Sequence, residues 1–197
     1  NRLKIMDQTE SAAQPFLSPD LQQALLFNGE IFNFHNLKNE LLAKGIRFTS
    51  HSDTEVLFHW LRTYGKAGIE NLEGMFAFIF INLENREIFI ARDRSGIKPL
   101  YYFEDENCFI ASSEIKAVHN TGLLKKAINA KQVHHYLSYK YAKPPETFFQ
   151  NIYELRHGTV MLFEKDKWEI SSFYQKKTSK QDAIPDLEKI ETLITNS

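Results

Sequence analysis

The chain has 197 residues, with Lys+Arg 24 against Asp+Glu 25, a formal net charge of −1, and 43% hydrophobic residues. At about 150 residues per domain this is one globular unit with a short remnant of another, and near-neutrality excludes the basic excess expected of a general nucleic-acid binder. The longest apolar run, around Met75 to Ile81, is far below the roughly 20 residues a membrane-spanning helix needs, so neither a nucleic acid nor a membrane is an expected partner. Leu21 to Phe27 has strand length and is followed by Asn28-Gly29. Asn33 is placed to cap a helix carrying Leu37, Leu41 and Leu42 on one face and stopping at Gly45. Ser52, with Glu55 three residues on, opens a second helix in a capping-box pattern, with Val56, Leu57, Trp60, Leu61 and Tyr64 as its apolar face.

Met75 to Ile81 is apolar at every position, and its aromatic and β-branched content favours a strand covered on both faces over a buried helix. Glu87 to Arg92 would be its antiparallel partner. Leu100 to Phe103 with Cys108 to Ala111, and Thr159 to Phe163 with Trp168 to Phe173, make two further strand pairs. Helical stretches fall at Glu114 to Asn120 and Ala130 to Tyr141, the latter closed by Pro144-Pro145. Antiparallel hairpins with segregated helices, and one strand too apolar for a wet face, predict an α+β fold of layered sheets. From Lys176 to Asp182 the composition turns polar and reads as a linker, after which Leu187, Ile190, Leu193 and Ile194 fit one helix stripe.

The chemistry-bearing residues are few. Asn28-Gly29 is a hairpin-turn signal, yet only Glu30 to Phe32 separate it from the helix that follows, too little for a second strand. The other reading is a strand end presenting an amide side chain beside a free backbone N–H, the equipment of an oxyanion hole. Asp53 stands in the first turn of a helix, where the macrodipole alone favours an acid. Arg92 to Gly96 is a charged turn between strands. His134 and His135 are adjacent, and no metal-ligand spacing is present. Cys108 is the only cysteine, so there is no internal disulfide, which fits a reducing compartment and a cytoplasmic location. It begins an apolar strand with nothing cationic beside it in sequence, the setting of a packing residue and not of a nucleophile.

Five ordered segments carry a resemblance. Phe27-Asn28-Gly29-Glu30-Ile31-Phe32-Asn33, Ser52-Asp53-Thr54-Glu55, Leu72 to Phe78, Ala91 to Tyr102 and Ala111 to Ala117 resemble the motifs of class II glutamine amidotransferase domains. Phe27 before the Asn-Gly pair points to the asparagine synthase branch. The resemblance extends from Arg2 to about Tyr174. It implies a layered αββα sandwich of two antiparallel sheets like that of N-terminal nucleophile hydrolases, with L-glutamine as ligand. It also implies an oxyanion hole from the Asn28 side chain and Gly29 N–H. Arg2 would pair with the glutamine α-carboxylate, with Leu3, Ile5 and Met6 as backbone and apolar contacts, and Glu30 and Asp53 would hold the α-ammonium.

In such enzymes the nucleophile is an N-terminal Cys. This chain opens on Asn1-Arg2 and has no adjacent glycine pair for an ATP phosphate loop. The expected organisation is therefore an amidotransferase domain over residues 1–175, lacking its first segment, followed at 176–197 by a linker and the first helix of an ATP- and Mg²⁺-dependent synthetase domain. No cofactor is expected in this chain, and a homodimer is compatible with it. The polypeptide is expected to hold part of the glutamine pocket without hydrolysing glutamine. The rival readings are an amide ligase with another acceptor and a degenerate, non-catalytic module.

Overall fold

The run Met75 to Ile81 is a strand, and the way its side chains divide sets the architecture. In the computed structural model, which describes residues 14–164, 167–174, 191, 192 and 195, it forms the centre of β3 (Gly74–Asn82). Phe76, Phe78 and Phe80 enter one core, whereas Ala77 and Ile79 enter another. Alternation of side chains across a strand requires this when both faces are covered.

On one side of β3 lies β2 (Gln23–Ile31) and on the other β4 (Glu87–Arg92), and the six-stranded sheet runs β1-β2-β3-β4-β8-β9 with every pairing antiparallel. Here β1 is Phe16–Leu17, β8 Thr159–Glu164 and β9 Lys167–Ser172. A second, three-stranded sheet has β5 (Tyr101–Glu104) between β6 (Phe109–Ser112) and β7 (Tyr153–Glu154).

Three apolar interfaces stack these elements. Leu37 and Leu41 of α1 (Phe34–Ala43) and Val56, Leu57, Phe58, Trp60 and Leu61 of α2 (Asp53–Tyr64) cover one face of the large sheet. Ile90, Leu100, Leu155 and Met161 join the two sheets. Phe103 and Ile152 meet Val118 of α3 (Ile115–Asn120) on the far side. The order helices, sheet, sheet, helix is the expected αββα sandwich. The fourth helix, α4 (Ala130–Tyr139), is anchored by polar groups: Gln132 is buried, donates to Glu146 Oε2 at 2.7 Å and accepts from Lys143 N at 2.7 Å.

Several local expectations are corrected. Strand β2 starts at Gln23 and continues through Ile31, because Asn28, Gly29 and Glu30 pair with Ala77, Phe76 and Met75. Asn28-Gly29 is therefore neither a turn nor a strand tip. Asn33 precedes α1 without a side-chain cap. Its amide instead donates to Asn71 O at 2.8 Å and accepts from Glu73 N at 3.1 Å, pinning the entry to β3. Leu42 is exposed, leaving Leu37 and Leu41 as the buried residues of α1. Ser52 does cap α2, accepting from Glu55 N at 3.2 Å. The Glu55 carboxylate does not return to Ser52; it accepts from the backbone and hydroxyls of Thr49 and Ser50. Of the expected linker and last helix, residues 175–190 lie outside the described residues, as do Leu193 and Ile194; Glu191, Thr192 and Thr195 are helical.

Candidate functional site

In an antiparallel ladder successive residues direct their N–H groups to alternate sides. Phe27 N–H donates to Gln14 Oε1 at 2.7 Å and Ile31 N–H to Asp53 Oδ2 at 3.1 Å, both on the edge of β2 away from β3. Gly29, two residues from each, faces the same way, so its N–H stands between two that are already engaged, on a strand edge that no described residue covers. Gly29 has to be glycine: a Cβ there would come within 2.1 Å of Met75 O and 2.7 Å of Phe76 Cα. The facing Gly74 is equally constrained, its Cβ meeting Glu30 O at 2.2 Å. The two glycines let β2 and β3 approach closely where the edge is open.

A cavity of about 540 Å³ lies along this edge, within the range of small-molecule sites. Asn28, Gly29, Glu30 and Asp53 form one wall, and Lys98, Ser112, Ser113 and Glu114 form another. The residues that sequence placed in one site, 25 positions apart, thus share one space; Arg2, Leu3, Ile5 and Met6 lie outside the described residues. Asn28 is exposed, and neither its amide nor the Glu30 carboxylate has a polar partner among the described residues. Asp53 is buried and already engaged by Ile31 N–H. It joins the start of α2 to the end of β2, a structural duty alongside its place on the cavity wall.

The support behind this wall is charged. Glu55 is buried; burial pushes its carboxyl pKa up, but hydrogen bonds from Ser50 and Thr49 outweigh that and hold it below the ordinary value. The ionised group thereby fixes the loop leading into α2 and so the position of Asp53. On the other wall, Asp93 is fully buried and accepts from the N–H groups of Phe76, Ser95, Ile97 and Lys98. Arg92 donates to Lys98 O, Gly96 O, Leu155 O and Glu154 Oε1. The charged turn is thus organised around two buried charged residues, Arg92 and Asp93, while Ser95 and Ile97 stay exposed.

Sequence reasoning missed Lys98 and the Ser112 to Glu114 stretch as cavity residues, although both lie in motifs that carried the resemblance. Cys108 sits in the interface beneath α3, away from the cavity. Burial and the neighbouring Asp105 push its thiol pKa up, away from the reactive thiolate. Among the described residues no group of three His, Cys, Asp or Glu is placed to hold a metal ion, and no helix is long and apolar enough to cross a membrane.

Residues 1–174 match the family described as glutamine amidotransferase domain. The chain is 34% identical over 84% of its length to asparagine synthetase [glutamine-hydrolyzing] 1 of Bacillus subtilis (strain 168), of which it spans 26%. Asparagine synthetase [glutamine-hydrolyzing] 3 of the same organism is 31% identical over 79% of the chain, again with 26% of the relative spanned. Amidase chry2 of Gibberella zeae is 30% identical over 82% of the chain and is spanned for 23% of its length. In fold, the chain superposes on the glutamine phosphoribosylpyrophosphate amidotransferase of B. subtilis with a TM-score of 0.60. That match has 24% identity and covers 86% of this chain and 34% of that one.

Proposed function

Since this chain belongs to the class II glutamine amidotransferase family, we propose that its cavity binds L-glutamine as the glutaminase part of a glutamine-dependent asparagine synthase. The observation that carries the reading is that Asn28 and Glu30, on a cavity shared with Asp53, have no polar partner among the described residues. A free amino acid is a zwitterion, so its site needs both signs of charge. Glu30 and Asp53 offer the negative end to the α-ammonium. By the family resemblance, Arg2 is assigned to the α-carboxylate and Leu3, Ile5 and Met6 to backbone and apolar contacts with the ligand. The Asn28 amide and the Gly29 N–H on the open strand edge donate to the side-chain carbonyl. As the carbonyl becomes tetrahedral, each such donor contributes about 2.7–4 kcal/mol in enzymes where one has been removed.

Family members attack that carbonyl with an N-terminal Cys. The one thiol of this chain, Cys108, lies apart from the cavity, so the 197-residue polypeptide binds glutamine without turning it over. In the whole protein the released ammonia amidates an aspartyl-adenylate in an ATP- and Mg²⁺-dependent domain. The residues of this chain do not fit that nucleotide: its sequence has no adjacent glycine pair, and no step through ATP is assigned to it. A second reading is an amide ligase whose acceptor carboxylate is not aspartate; not every relative bears the asparagine synthetase name, one being an amidase. AMP release with aspartate against other carboxylates, measured on protein carrying the synthetase part, separates the two.

Calorimetric titration tests the main reading. L-glutamine is expected to bind saturably and D-glutamine not, with no ammonia released from the 197-residue chain. Absence of saturable L-glutamine binding would overturn the assignment of the cavity, and ammonia release would overturn the assignment of the nucleophile.

A further inference from the structure

Lys98 lies on the same cavity as Asn28, Gly29 and Glu30, and its backbone is held at both polar ends. Its N–H donates to Asp93 Oδ2 at 3.0 Å, and its carbonyl accepts from Arg92 Nε at 2.7 Å. Both holders are buried, so the residue cannot drift from the cavity wall. Its ammonium, by contrast, makes no ion pair or hydrogen bond among the described residues, with the acids of the cavity included. Without a partner among the described residues, this half-buried residue's ammonium is available to an anion from solution.

The hydrogen bonds also say which end of the cavity Lys98 serves. Gly29 pairs with Phe76 across β2 and β3. The Phe76 N–H donates to Asp93 Oδ2 at 3.2 Å, the same oxygen that takes the Lys98 N–H. The Asp93 carboxylate thus joins Lys98 to the strand position opposite Gly29. On the cavity face the residue between is Ala77, the pairing partner of Asn28. Its single methyl leaves the crossing open to a four-carbon side chain.

We propose that Lys98 binds the charge that arises at the far end of the ligand's side chain: the tetrahedral oxyanion, and then the γ-carboxylate of glutamate. This rests on the reading of the cavity as a glutamine site. In the hydrolysis water replaces ammonia at the side-chain carbonyl, so a neutral amide becomes an anion while the α-amino and α-carboxylate groups are unchanged. A cation beside Asn28 and Gly29 separates the two ligands by that difference alone, making Lys98 a specificity-determining residue.

The test is titration of the 197-residue chain and its K98M and K98R variants with L-glutamine and L-glutamate. K98M is expected to weaken L-glutamate by at least about tenfold and L-glutamine by no more than about threefold, while K98R keeps both within about threefold of the parent. Equal losses for the two ligands, or no loss for either, would overturn the role of Lys98 and leave the glutamine site standing. Failure of the unmodified chain to bind either ligand overturns the site itself. The Lys98 backbone bonds survive substitution, so K98M should fold; Lys98→Gln gives the same comparison should it not.

Discussion

Two polar groupings flank the cavity, and they differ in how far their hydrogen-bonding capacity is spent. Arg92 and Asp93, although ionisable, are buried, each engaged by several backbone or side-chain partners around residues 76, 95–98 and 154–155. Asn28, Glu30 and Lys98 stand close by on the cavity wall with nothing bound to their polar ends among the described residues. A buried charge is tolerated only when its partners are complete, so the first grouping holds the fold together. The second keeps its capacity among the described residues, which is what the proposed glutamine site requires. Residue type alone does not distinguish them; partner saturation does.

Substitutions can sharpen this contrast, because stability effects should fall from the saturated grouping to the unspent one. The largest is expected for Asp93→Ala, which strips the acceptor from several N–H groups at once. At about 1–3 kcal/mol for each donor left unsatisfied in the interior, a loss of at least about 3 kcal/mol is expected by urea denaturation. Gly29→Ala comes next: its new methyl would press on the β3 backbone, costing about 2–3 kcal/mol, and L-glutamine binding should vanish with it.

Glu55→Gln should cost about 1–2 kcal/mol at neutral pH, with a pH signature. Its folded-state pKa lies below the ordinary value of 4.5. The stabilisation is thus complete above that value and is lost as pH falls through the lower folded-state pKa. The gap between parent and variant should close in acid, and a gap that stays constant with pH would show that the charge of Glu55 is not what holds the loop. Smallest is Asn28→Ala, with a stability change within about 0.5 kcal/mol but at least about a tenfold loss of L-glutamine affinity. A large destabilisation there would break the contrast, because it would mean Asn28 is spent on the fold.

The hairpins β3–β4, β5–β6 and β8–β9 were legible because each reports itself within fewer than 20 residues through apolar runs and turn chemistry. The pairing of β4 with β8 was not, since it joins residues about 70 positions apart and nothing local encodes it. The same division holds at the site. Asn28, Gly29 and Glu30 are neighbours in sequence, and Asp53 announces itself through the cap of α2. Lys98 reaches the cavity only because the turn wraps around Arg92 and Asp93, a consequence of burial that composition does not reveal. Alternating charge alone would suit a solvated loop as well as a structural support, and the hydrogen bonds of Arg92 and Asp93 show the support. Asn33 was misread for a related reason: its side chain serves Asn71 and Glu73, distant in sequence, in place of its own helix.

The chain's two tryptophans have been distributed one to each side of the large sheet. Trp60 is buried on the sheet-facing side of α2, with its indole N–H donated to Gly68 O at 2.8 Å. Trp168, on the edge strand β9, stacks on Phe109 of the opposite sheet with ring centroids 4.2 Å apart. Intrinsic fluorescence therefore offers two separate optical gauges. Parting of the sheets would red-shift Trp168 emission while Trp60 stayed dark to solvent, so a Trp60→Phe variant would watch the sandwich open before its helices let go.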